Sequence, residues 1–598
     1  MNNILKLLLR GEQMNLSRRR FLKICIKAGL LSLTSSIAGC SEKREKAVIP
    51  TPSFSKPQVK GTFIEGTSSG DAETLNWILA GDDASFSYVN FTMDGLVTYD
   101  NNLKIVLRWL AEPIEVSDDG LAYTLYLRDD LYWSDGKQVT AEDFVYTYEN
   151  LMFADWMPFN YKDDYREEVD GEKKFVDVRV IDKTTYQFVR QTVNPEFLYT
   201  ITDFWVYPKH IVKKYEGNLD AFTQAEELNN LSYTGNLGPY RFVEWVRNDK
   251  LVLERNPDYY LGKESGAPYF EKYIVKILGT PAARHAALEA GDITSTVIDP
   301  LQVKKFKEME HINVYSRPTS GYTILVWNLR NNGWDGFKNK KIRQAVAMSI
   351  SKDALIQQIY LGFAESAFSF IPKPSPWYVD EGLSKYGVGE LYDKEKAMEI
   401  FQEEGYDVED GKIMDEGEQL KLSVITNSGN KVRESICFLV KQELSDIGIE
   451  VEMKFLPWAT ELNQYLRNKV PGSDQEPTFN NGPDAVSEKP WDMLIIGFST
   501  DVLAPSGSYS FFGSEGGLNF GGYFNSEVDS LFKKIKTKEA LDEDKRREIY
   551  GEISRILSEE LPGDFLAYPI GNVGFQKNVM GIEPGISMGY NYHEWYFA

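Results

Sequence analysis

The segment 420–455 predicts a strand, a helix and a second strand, and this order restricts the possible folds more than any other feature of the sequence. Residues 420–426, LKLSVIT, have the apolar character of a strand. A helix is predicted from Lys431 to Leu444, with Gly448 just beyond its end as a C-cap. Apolar and charged residues then alternate over 449–455, as in a further strand. The connection length indicates a right-handed crossover within a parallel sheet.

A second strand signal lies at Trp491–Asp501, WDMLIIGFSTD. The apolar run from Met493 to Ile496, bounded by Gly497, predicts a strand covered on both faces. Asp501 follows just past the strand end, where open α/β sheets bind their ligands. The alternative is that Asp501 caps a turn or a helix.

Length and charge narrow the possible classes of protein. A chain of 598 residues exceeds one hydrophobic core, so two or three subdomains are expected. The net charge of −23 argues against nucleic acid, which needs a basic face. This negative charge mildly favours cationic ligands. The alternative is that it only reflects an acidic surface exposed to solvent.

The cysteines and histidines predict no metal site. Cys437 stands alone in the body of the chain, within SICFLVK, and is expected to be an inert buried thiol. The histidines are far apart and lack zinc-ligand spacing. They are His210, His285, His311 and His593.

The first sixty residues predict export and anchoring. Ser17–Lys23, SRRRFLK, matches a twin-arginine export motif, and a weakly apolar segment follows. Residues 36–40, SIAGC, resemble a lipobox, so 1–39 is expected to be a signal peptide and Cys40 the lipidated first residue of the mature chain. Residues 40–60 are expected to be a flexible tether on the outer face of the cell membrane. General secretion remains an alternative route, and Met14 an alternative start.

Four local predictions concern the body of the chain. Thr140 and Asp143 form a capping box at the start of a helix. Gly81-Asp82-Asp83 is predicted to be a loop, and Phe91–Leu96 a helix that leads into a strand at Val97–Tyr99. The polar, turn-rich segment 471–490 is predicted to be an exposed insertion, with a lid as the alternative.

Several separated segments together resemble family 5 of the extracellular solute-binding proteins, the oligopeptide, dipeptide and nickel receptors of ABC importers. The most specific is 120–151, GLAYTLYLRDDLYWSDGKQVTAEDFVYTYENL. The others are GPYRF at 238–242, LVLERNPDYY at 251–260, AARHAALEAGDI at 282–293 and, after Asn328-Leu329, KIRQAV at 341–346. The resemblance runs from about Thr62 to the C-terminus and is more specific for fold than for ligand.

The resemblance implies an α/β, two-lobed periplasmic-binding-protein-like fold of type II, with a hinge and an extra subdomain on lobe 1. Lobe 1 is expected to comprise 61–100, 232–316 and 556–598. The extra subdomain is 101–231, and lobe 2 is 317–555, including the insertion. Ligand would be enclosed when the lobes close.

The resemblance also implies a site along Gly497–Asp501. Gly497 and Ser499 would offer backbone hydrogen bonds, Thr500 lies between them and the acid, and Asp501 would pair with a peptide ammonium. Relatives often have a second acid before the proline that follows, which Val502-Leu503-Ala504-Pro505 lacks. Some carry an arginine where this chain has Ile495, so capture of a carboxylate by that residue is not expected.

Two further groups complete the expected ligand site. The resemblance places Gly81, Asp82 and Asp83 along the other edge of the ligand. Phe159 and Tyr161, from the loop 155–165, could wall a side-chain pocket or stack on a sugar, and ordinary packing is an equal alternative.

The expected function is a lipid-anchored, monomeric receptor that delivers oligopeptides to an ABC permease. The alternatives on the same scaffold are an oligosaccharide, a metal chelate or a signalling peptide. No enzyme is expected, and no catalytic residue, cofactor or metal, because the sequence has no GxSxG elbow, HExxH motif or Gly-rich phosphate loop. A glycosidase pair among the scattered carboxylates remains open.

Overall fold

Twelve strands form one mixed sheet in the computed structural model, which describes residues 56–67 and 70–598. The predicted signal peptide, the predicted lipidation site Cys40 and most of the predicted tether lie outside the described residues. The strands are β1 (Thr62–Thr67), β2 (Tyr240–Val246), β3 (Lys250–Arg255), β4 (Lys272–Ile277), β5 (Ser295–Val297), β6 (Ile312–Pro318), β7 (Gly321–Trp327), β8 (Ala364–Ser366), β9 (Lys421–Asn427), β10 (Glu450–Leu456), β11 (Met493–Ser499) and β12 (Gly563–Gln576). Their order is β2-β3-β4-β1-β5-β12-β7-β11-β9-β10, and β6 and β8 also pair with β12.

Helices cover the sheet. Those of eight or more residues in the described ranges are α1 (Asp83–Asn90), α2 (Pro281–Ala290), α3 (Pro300–Lys307), α4 (Lys340–Met348), α5 (Lys394–Glu403), α6 (Lys431–Ser445), α7 (Ser526–Ile535) and α8 (Glu543–Glu560). None of the helices in these ranges has the length and hydropathy that crossing a membrane requires.

The predicted strand–helix–strand unit is confirmed. β9 and β10 pair in parallel from Lys421↔Glu450 onward, and α6 connects them. Gly448 follows the helix with φ of +81°, and a Cβ there would lie 2.2 Å from the Gly411 carbonyl oxygen, so only glycine fits. Cys437 is buried on α6, and burial raises the pKa of its thiol to about 12.

Three of the local predictions differ in outcome. The capping box is confirmed, since the Asp143 carboxylate accepts a hydrogen bond from the Thr140 N–H at 2.9 Å and the helix Ala141–Tyr146 follows. The prediction of a helix at Phe91–Leu96 is wrong, because the helix is α1, which starts at Asp83. Asp82 is the N-cap of α1 and accepts a bond from the Ser85 N–H at 2.9 Å, so the triplet at 81–83 starts a helix and is not simply a loop.

The sheet divides into two parts that share β12. Residues Gly563–Ala567 pair with β7, whereas Ile570–Gln576 pair with β6. The chain also passes from one part to the other between β6 and β7, at Thr319 and Ser320. We call the part built on β1–β6 the first lobe and the part built on β7–β11 the second lobe. Two extended segments side by side are the geometry of a hinge.

The hydrophobic cores follow the same division. Among the described residues, the buried members of each apolar cluster come from one lobe. Those of the second lobe lie within 322–568, and those of the first lie within 63–312 and 575–595. The expected boundary at 556 falls inside α8, whose Ile553 and Leu557 pack in the second-lobe core. The cores therefore indicate that the chain passes from the second lobe back to the first near Pro569, within β12.

The region 101–231 has its own four-stranded sheet. Its strands are Glu115–Val116, Ala122–Tyr126, Asp177–Val180 and Thr185–Val189. Its buried residues nevertheless share one cluster with Phe63 on β1 and Tyr273 on β4. It is thus packed on the first lobe.

The segment 471–490 is largely exposed and is held by Arg330. The buried guanidinium of Arg330 donates to the carbonyl oxygens of Gly482 at 2.9 Å and Ala485 at 3.1 Å. None of the residues in this segment lines the cavities described below.

Candidate functional site

Four cavities lie along the boundary between the lobes. The acid cavity, of about 450 Å³, is lined by Tyr99, Leu103, Tyr199, Asp203, Arg317, Thr319, Ser320, Asp501, Val502, Leu503, Ile586 and Ser587. The edge cavity, of about 460 Å³, contains Val297, Asp299, Tyr322, Tyr360, Arg433, Gly497 and Ser499 in its wall. Both cavities draw residues from both lobes.

Two larger cavities connect with these. One, of about 600 Å³, shares Tyr99, Arg317 and Ser587 with the acid cavity and Val297 with the edge cavity. The other, of about 610 Å³, shares Tyr199, Asp203 and Asp501 with the acid cavity. The four cavities therefore lie side by side along the boundary between the lobes, and we call them together the cleft.

Asp501 caps a turn and faces the cleft at once. Its Oδ1 accepts hydrogen bonds from the Leu503 N–H at 2.8 Å and the Ala504 N–H at 3.1 Å. Its side chain is exposed in the wall of the acid cavity. No donor from the described chain bonds to Oδ2. One oxygen is therefore used by the turn, and the other is free for a cation.

Asp203 is a second acid in the same cavity. It comes from the region 101–231, and its side chain is exposed to the cleft although protein surrounds the cleft itself. Partial removal from bulk water by the cleft walls, with the negative charges of Asp501 and Asp164, raises its pKa to about 8. At neutral pH the carboxyl of Asp203 therefore holds a proton. Sequence reasoning missed it, because no motif or spacing links it to Asp501.

The acid pair has the chemistry of a site for a cation. A single positive group placed between Asp501 and Asp203 would meet a carboxylate from each lobe. Charge-assisted hydrogen bonds of this kind are about twice as strong as neutral ones. Such a group would therefore favour contact between the lobes.

The strand β11 has a free edge beside this pair. It is paired with β7 along its whole length, from Gly321↔Ser499 to Trp327↔Met493. It is paired with β9 only at Val424↔Met493 and Ile425↔Leu494. The backbone from Ile496 to Ser499 is thus unpaired on that side, and it lines the edge cavity from Gly497 onward. An unpaired edge of this kind accepts an extended chain as an added strand.

The free edge exists because β9 stops early. β9 ends at Asn427, and the first turn of α6 brings Arg433 next to Gly497. A Cβ on residue 497 would lie 2.7 Å from Nη2 of Arg433, so glycine leaves room for the guanidinium. Ile495 is fully buried in the second-lobe core.

Thr500 lies near the acid cavity but is used by the protein. It is 2% exposed, and its N–H donates to the Ser320 carbonyl at 3.1 Å. Its hydroxyl lies 3.0 Å from the Ser508 hydroxyl. Gly497 and Ser499 line the edge cavity, and Asp501 lines the acid cavity, so three of these four sequence-predicted residues face the cleft.

The other predicted site residues form a separate group. Gly81, Asp82, Asp83, Phe159 and Tyr161 line none of the four described cavities. Asp82 caps α1, and Phe159 is 3% exposed in an aromatic cluster. The Phe159 ring contacts Trp77 with centroids 6.2 Å apart and Phe204 at 5.1 Å. From α1, it is Ser87 and Asn90 that face the cleft.

Glu196 joins the two lobes beside the acid cavity. It comes from the region 101–231 and accepts hydrogen bonds from the hydroxyls of Ser506 and Tyr550, both in the second lobe. The side chain is 4% exposed, and burial raises its pKa. The lobes are therefore in contact in this structure.

Comparisons with known proteins agree on one family. The family model of the bacterial extracellular solute-binding proteins, family 5 Middle, matches residues 106–520. The chain is 28% identical over 595 residues to the oligopeptide-binding protein AppA of Bacillus subtilis (strain 168), which covers 97% of this chain and 100% of AppA.

Solved structures have the same fold. The structure of AppA from Bacillus subtilis in complex with a nonapeptide matches with a TM-score of 0.68 at 26% identity, over 91% of this chain and 100% of AppA. NikZ from Campylobacter jejuni in complex with Ni(L-His) matches with a TM-score of 0.68 at 22% identity, over 90% and 99% of the two chains. The second match shows a common fold alone.

Proposed function

The chain belongs to family 5 of the bacterial extracellular solute-binding proteins, and on that premise we propose that it is an oligopeptide receptor of an ABC importer. The similarity to AppA, an oligopeptide-binding protein, supports peptide as the ligand class. We further propose that lipid on Cys40 anchors a monomer to the outer face of the membrane, from which it delivers peptide to the permease.

The free edge of β11 carries the proposal. A peptide that adds to this edge makes main-chain hydrogen bonds at Gly497 and Ser499, which give affinity without reading its sequence. The neighbouring cavities, of about 450 to 610 Å³, leave room for varied side chains and bridging water.

The acid cavity supports a fixed position for the amino end. A peptide ammonium taken out of water needs an anionic partner, because its lost hydration is otherwise uncompensated. Oδ2 of Asp501 offers one, and Asp203 offers a second from the first lobe. An ammonium between them would hold the lobes together, so closing of the cleft would depend on the ligand.

Peptide binding is expected to release a proton from Asp203. In the free protein its pKa is about 8, so the carboxyl is protonated at pH 6–7. A bound ammonium favours the carboxylate and lowers this pKa. The complex then holds fewer protons than the free partners, so affinity rises with pH up to about 8. Above that, the free amino group itself loses its proton, since its ordinary pKa is about 8.

Calorimetry at pH 6.5 in two buffers of different ionisation enthalpy measures the released protons. Wild type should release a substantial fraction of one proton per peptide, and Asp203→Asn none. Asp501, Asp164, Tyr99, Tyr199 and Arg317 remain in the Asn variant and serve as the unchanged background. Equal proton release by both proteins would contradict the assignment to Asp203.

Loss of Glu196 is expected to shorten the residence of any bound peptide. Glu196→Ala leaves the Ser506 and Tyr550 hydroxyls without their shared acceptor, which costs about 1–3 kcal/mol in a buried contact. Stopped-flow dissociation should accelerate about tenfold or more, because the contact exists only between touching lobes. In Glu196→Gln the amide oxygen still accepts a hydrogen bond from a hydroxyl. Its dissociation rate should therefore lie between those of wild type and Glu196→Ala. An unchanged dissociation rate in Glu196→Ala would refute this role.

Mass spectrometry of small molecules that co-purify with the folded protein tests the ligand class directly. A ladder of short peptides is the expected result. Detection of a single glycan or a metal chelate instead would overturn the peptide proposal, although the chain would still belong to the same family. The buried packing of Phe159 offers no open aromatic platform for a sugar at that position. Hydrolysis of bound peptide by the purified protein would overturn the receptor proposal.

A further inference from the structure

One cavity of the cleft contains two arginines without ion pairs. The described lining residues of the cavity of about 600 Å³ all belong to the first lobe, within 65–99, 273–317 and 573–595. Arg284 and Arg317 are the cations in this wall, and neither forms an ion pair with a carboxylate of the described chain. We call this space the arginine cavity. Since buried charges are normally paired, the missing counter-ion is expected to come from a ligand.

Both arginines are held by the protein and keep unused donors. Nη1 of Arg284 donates to the Leu278 carbonyl oxygen at 3.1 Å, and Nη1 of Arg317 donates to the Ile586 carbonyl oxygen at 3.3 Å. Their Nε atoms are buried and have no acceptor in the described chain. A guanidinium has five N–H donors, so each group spends one bond on the protein and keeps others for a ligand.

The arginine cavity has an excess of positive charge. Burial lowers the pKa of both arginines; Asp299 opposes the shift of Arg284 without forming an ion pair, and no described carboxylate opposes that of Arg317. The one carboxyl among the described lining residues, Glu65, accepts a hydrogen bond from the Tyr273 hydroxyl at 2.6 Å, and burial raises its pKa. Burial thus disfavours the negative charge that would otherwise offset the arginines.

The arginine cavity borders the site proposed for the peptide amino end. It shares Tyr99, Arg317 and Ser587 with the acid cavity. Asp501, the proposed partner of the ammonium, lines the acid cavity. An extended chain advances about 3.3 Å per residue, so the first three residues lie within about 10 Å of the ammonium along the chain. A group that reaches the arginine cavity therefore belongs to a side chain near the amino end of an oligopeptide.

We propose that the arginine cavity binds the side-chain carboxylate of an acidic residue among the first three residues of the peptide. This inference rests on the proposed peptide function and adds a charge preference near the amino end to it. A guanidinium matches a carboxylate with two parallel N–H···O bonds. The net charge of −23 works against an acidic ligand, so a preference for one must come from these local cations.

A competing role for both arginines is to fix the backbone. Arg284 connects α2 to Leu278, just after β4, and Arg317 connects β6 to Ile586. A purely structural role would change the affinity for every peptide by the same factor. The difference in affinity between an acidic peptide and its neutral partner therefore separates the two roles.

The test uses alanine pentapeptides with a C-terminal amide and one Glu or one Gln at position 1, 2, 3, 4 or 5, titrated into the full mature chain by calorimetry. The amide removes the main-chain carboxylate, so the Glu side chain is the one anion of the ligand. At one of positions 1 to 3, wild type should bind the Glu peptide at least about tenfold more tightly than the Gln peptide, with little difference at position 5. Arg284→Gln and Arg317→Gln should each lose most of this preference, and Arg317→Lys should keep part of it.

Arg241→Gln is the matched control. Arg241 is an arginine of the first lobe that lies 2.6 Å from Asp258 and lines none of the four described cavities. This variant loses the same charge and should keep the preference for the Glu peptide. Thermal unfolding of each variant verifies folding.

Three outcomes would overturn the inference. The first is that wild type binds the Glu peptide no more tightly than its Gln partner at positions 1 to 3, a result that needs no variant. The second is a preference that survives in both Arg284→Gln and Arg317→Gln. The third is an equal loss in Arg241→Gln, which would assign the preference to net charge. Binding of none of the peptides by wild type would instead overturn the proposed function and this inference with it.

Discussion

Asp501→Asn is expected to weaken peptide binding by roughly 2 kcal/mol or more, about thirtyfold in Kd. The substitution removes the charge but keeps the turn, because the amide oxygen of asparagine can still accept the bonds from the Leu503 and Ala504 N–H groups. The loss therefore reports on the ammonium contact and not on the local fold. Isothermal calorimetry with one peptide measures it.

Two controls isolate the charge. An N-acetylated peptide has no ammonium, so wild type and Asp501→Asn should bind it with nearly equal affinity, and the difference between the two ligands isolates the pair. Asp407→Asn changes the net charge equally at an exposed position of the second lobe and should leave affinity unchanged. Unchanged affinity of Asp501→Asn for the free peptide would remove the role proposed for Asp501.

Lys352→Met is expected to lower the free energy of unfolding by about 3–5 kcal/mol, because it leaves the Asp564 carboxylate buried without its partner. Lys352 Nζ lies 2.8 Å from Oδ1 of Asp564, and the two side chains are 2% and 1% exposed. Lys352 also donates to the Ala367 carbonyl at 3.1 Å. Burial lowers the pKa of Lys352, and the Asp564 charge opposes this shift.

The double variant Lys352→Met/Asp564→Leu shows whether the stability loss in Lys352→Met comes from the unpaired buried charge of Asp564 or from lost packing. Replacing both members of a buried ion pair by apolar residues is often nearly neutral, so it should recover most of the lost stability. Urea unfolding followed by circular dichroism measures both proteins. Neither residue lines the four described cavities, so the folded variants should bind peptide as wild type does. A loss below about 1 kcal/mol in Lys352→Met would contradict this account.

The strands and the crossover could be predicted because their signals are local. The apolar run at Met493–Ile496 and the alternation at 449–455 each follow from which faces of a strand are covered. The same local reasoning cannot tell whether an aspartate after a turn serves the fold or a ligand. Both carboxylate oxygens of Asp82 accept hydrogen bonds from Ser85 at the start of α1, whereas Asp501 caps a turn and also faces the cleft.

The sequence by itself determined the family, the strand–helix–strand unit of β9, α6 and β10 and the position of Asp501 just after β11, because short-range periodicity and motifs encode these. The tertiary structure alone decided that Asp203 and Asp501 share one cavity and that the edge of β11 is left unpaired beyond Leu494. It also decided that Phe159 packs in the core. The physical reason is that burial, pKa shifts and free sheet edges depend on neighbours brought together by folding, which no local pattern records.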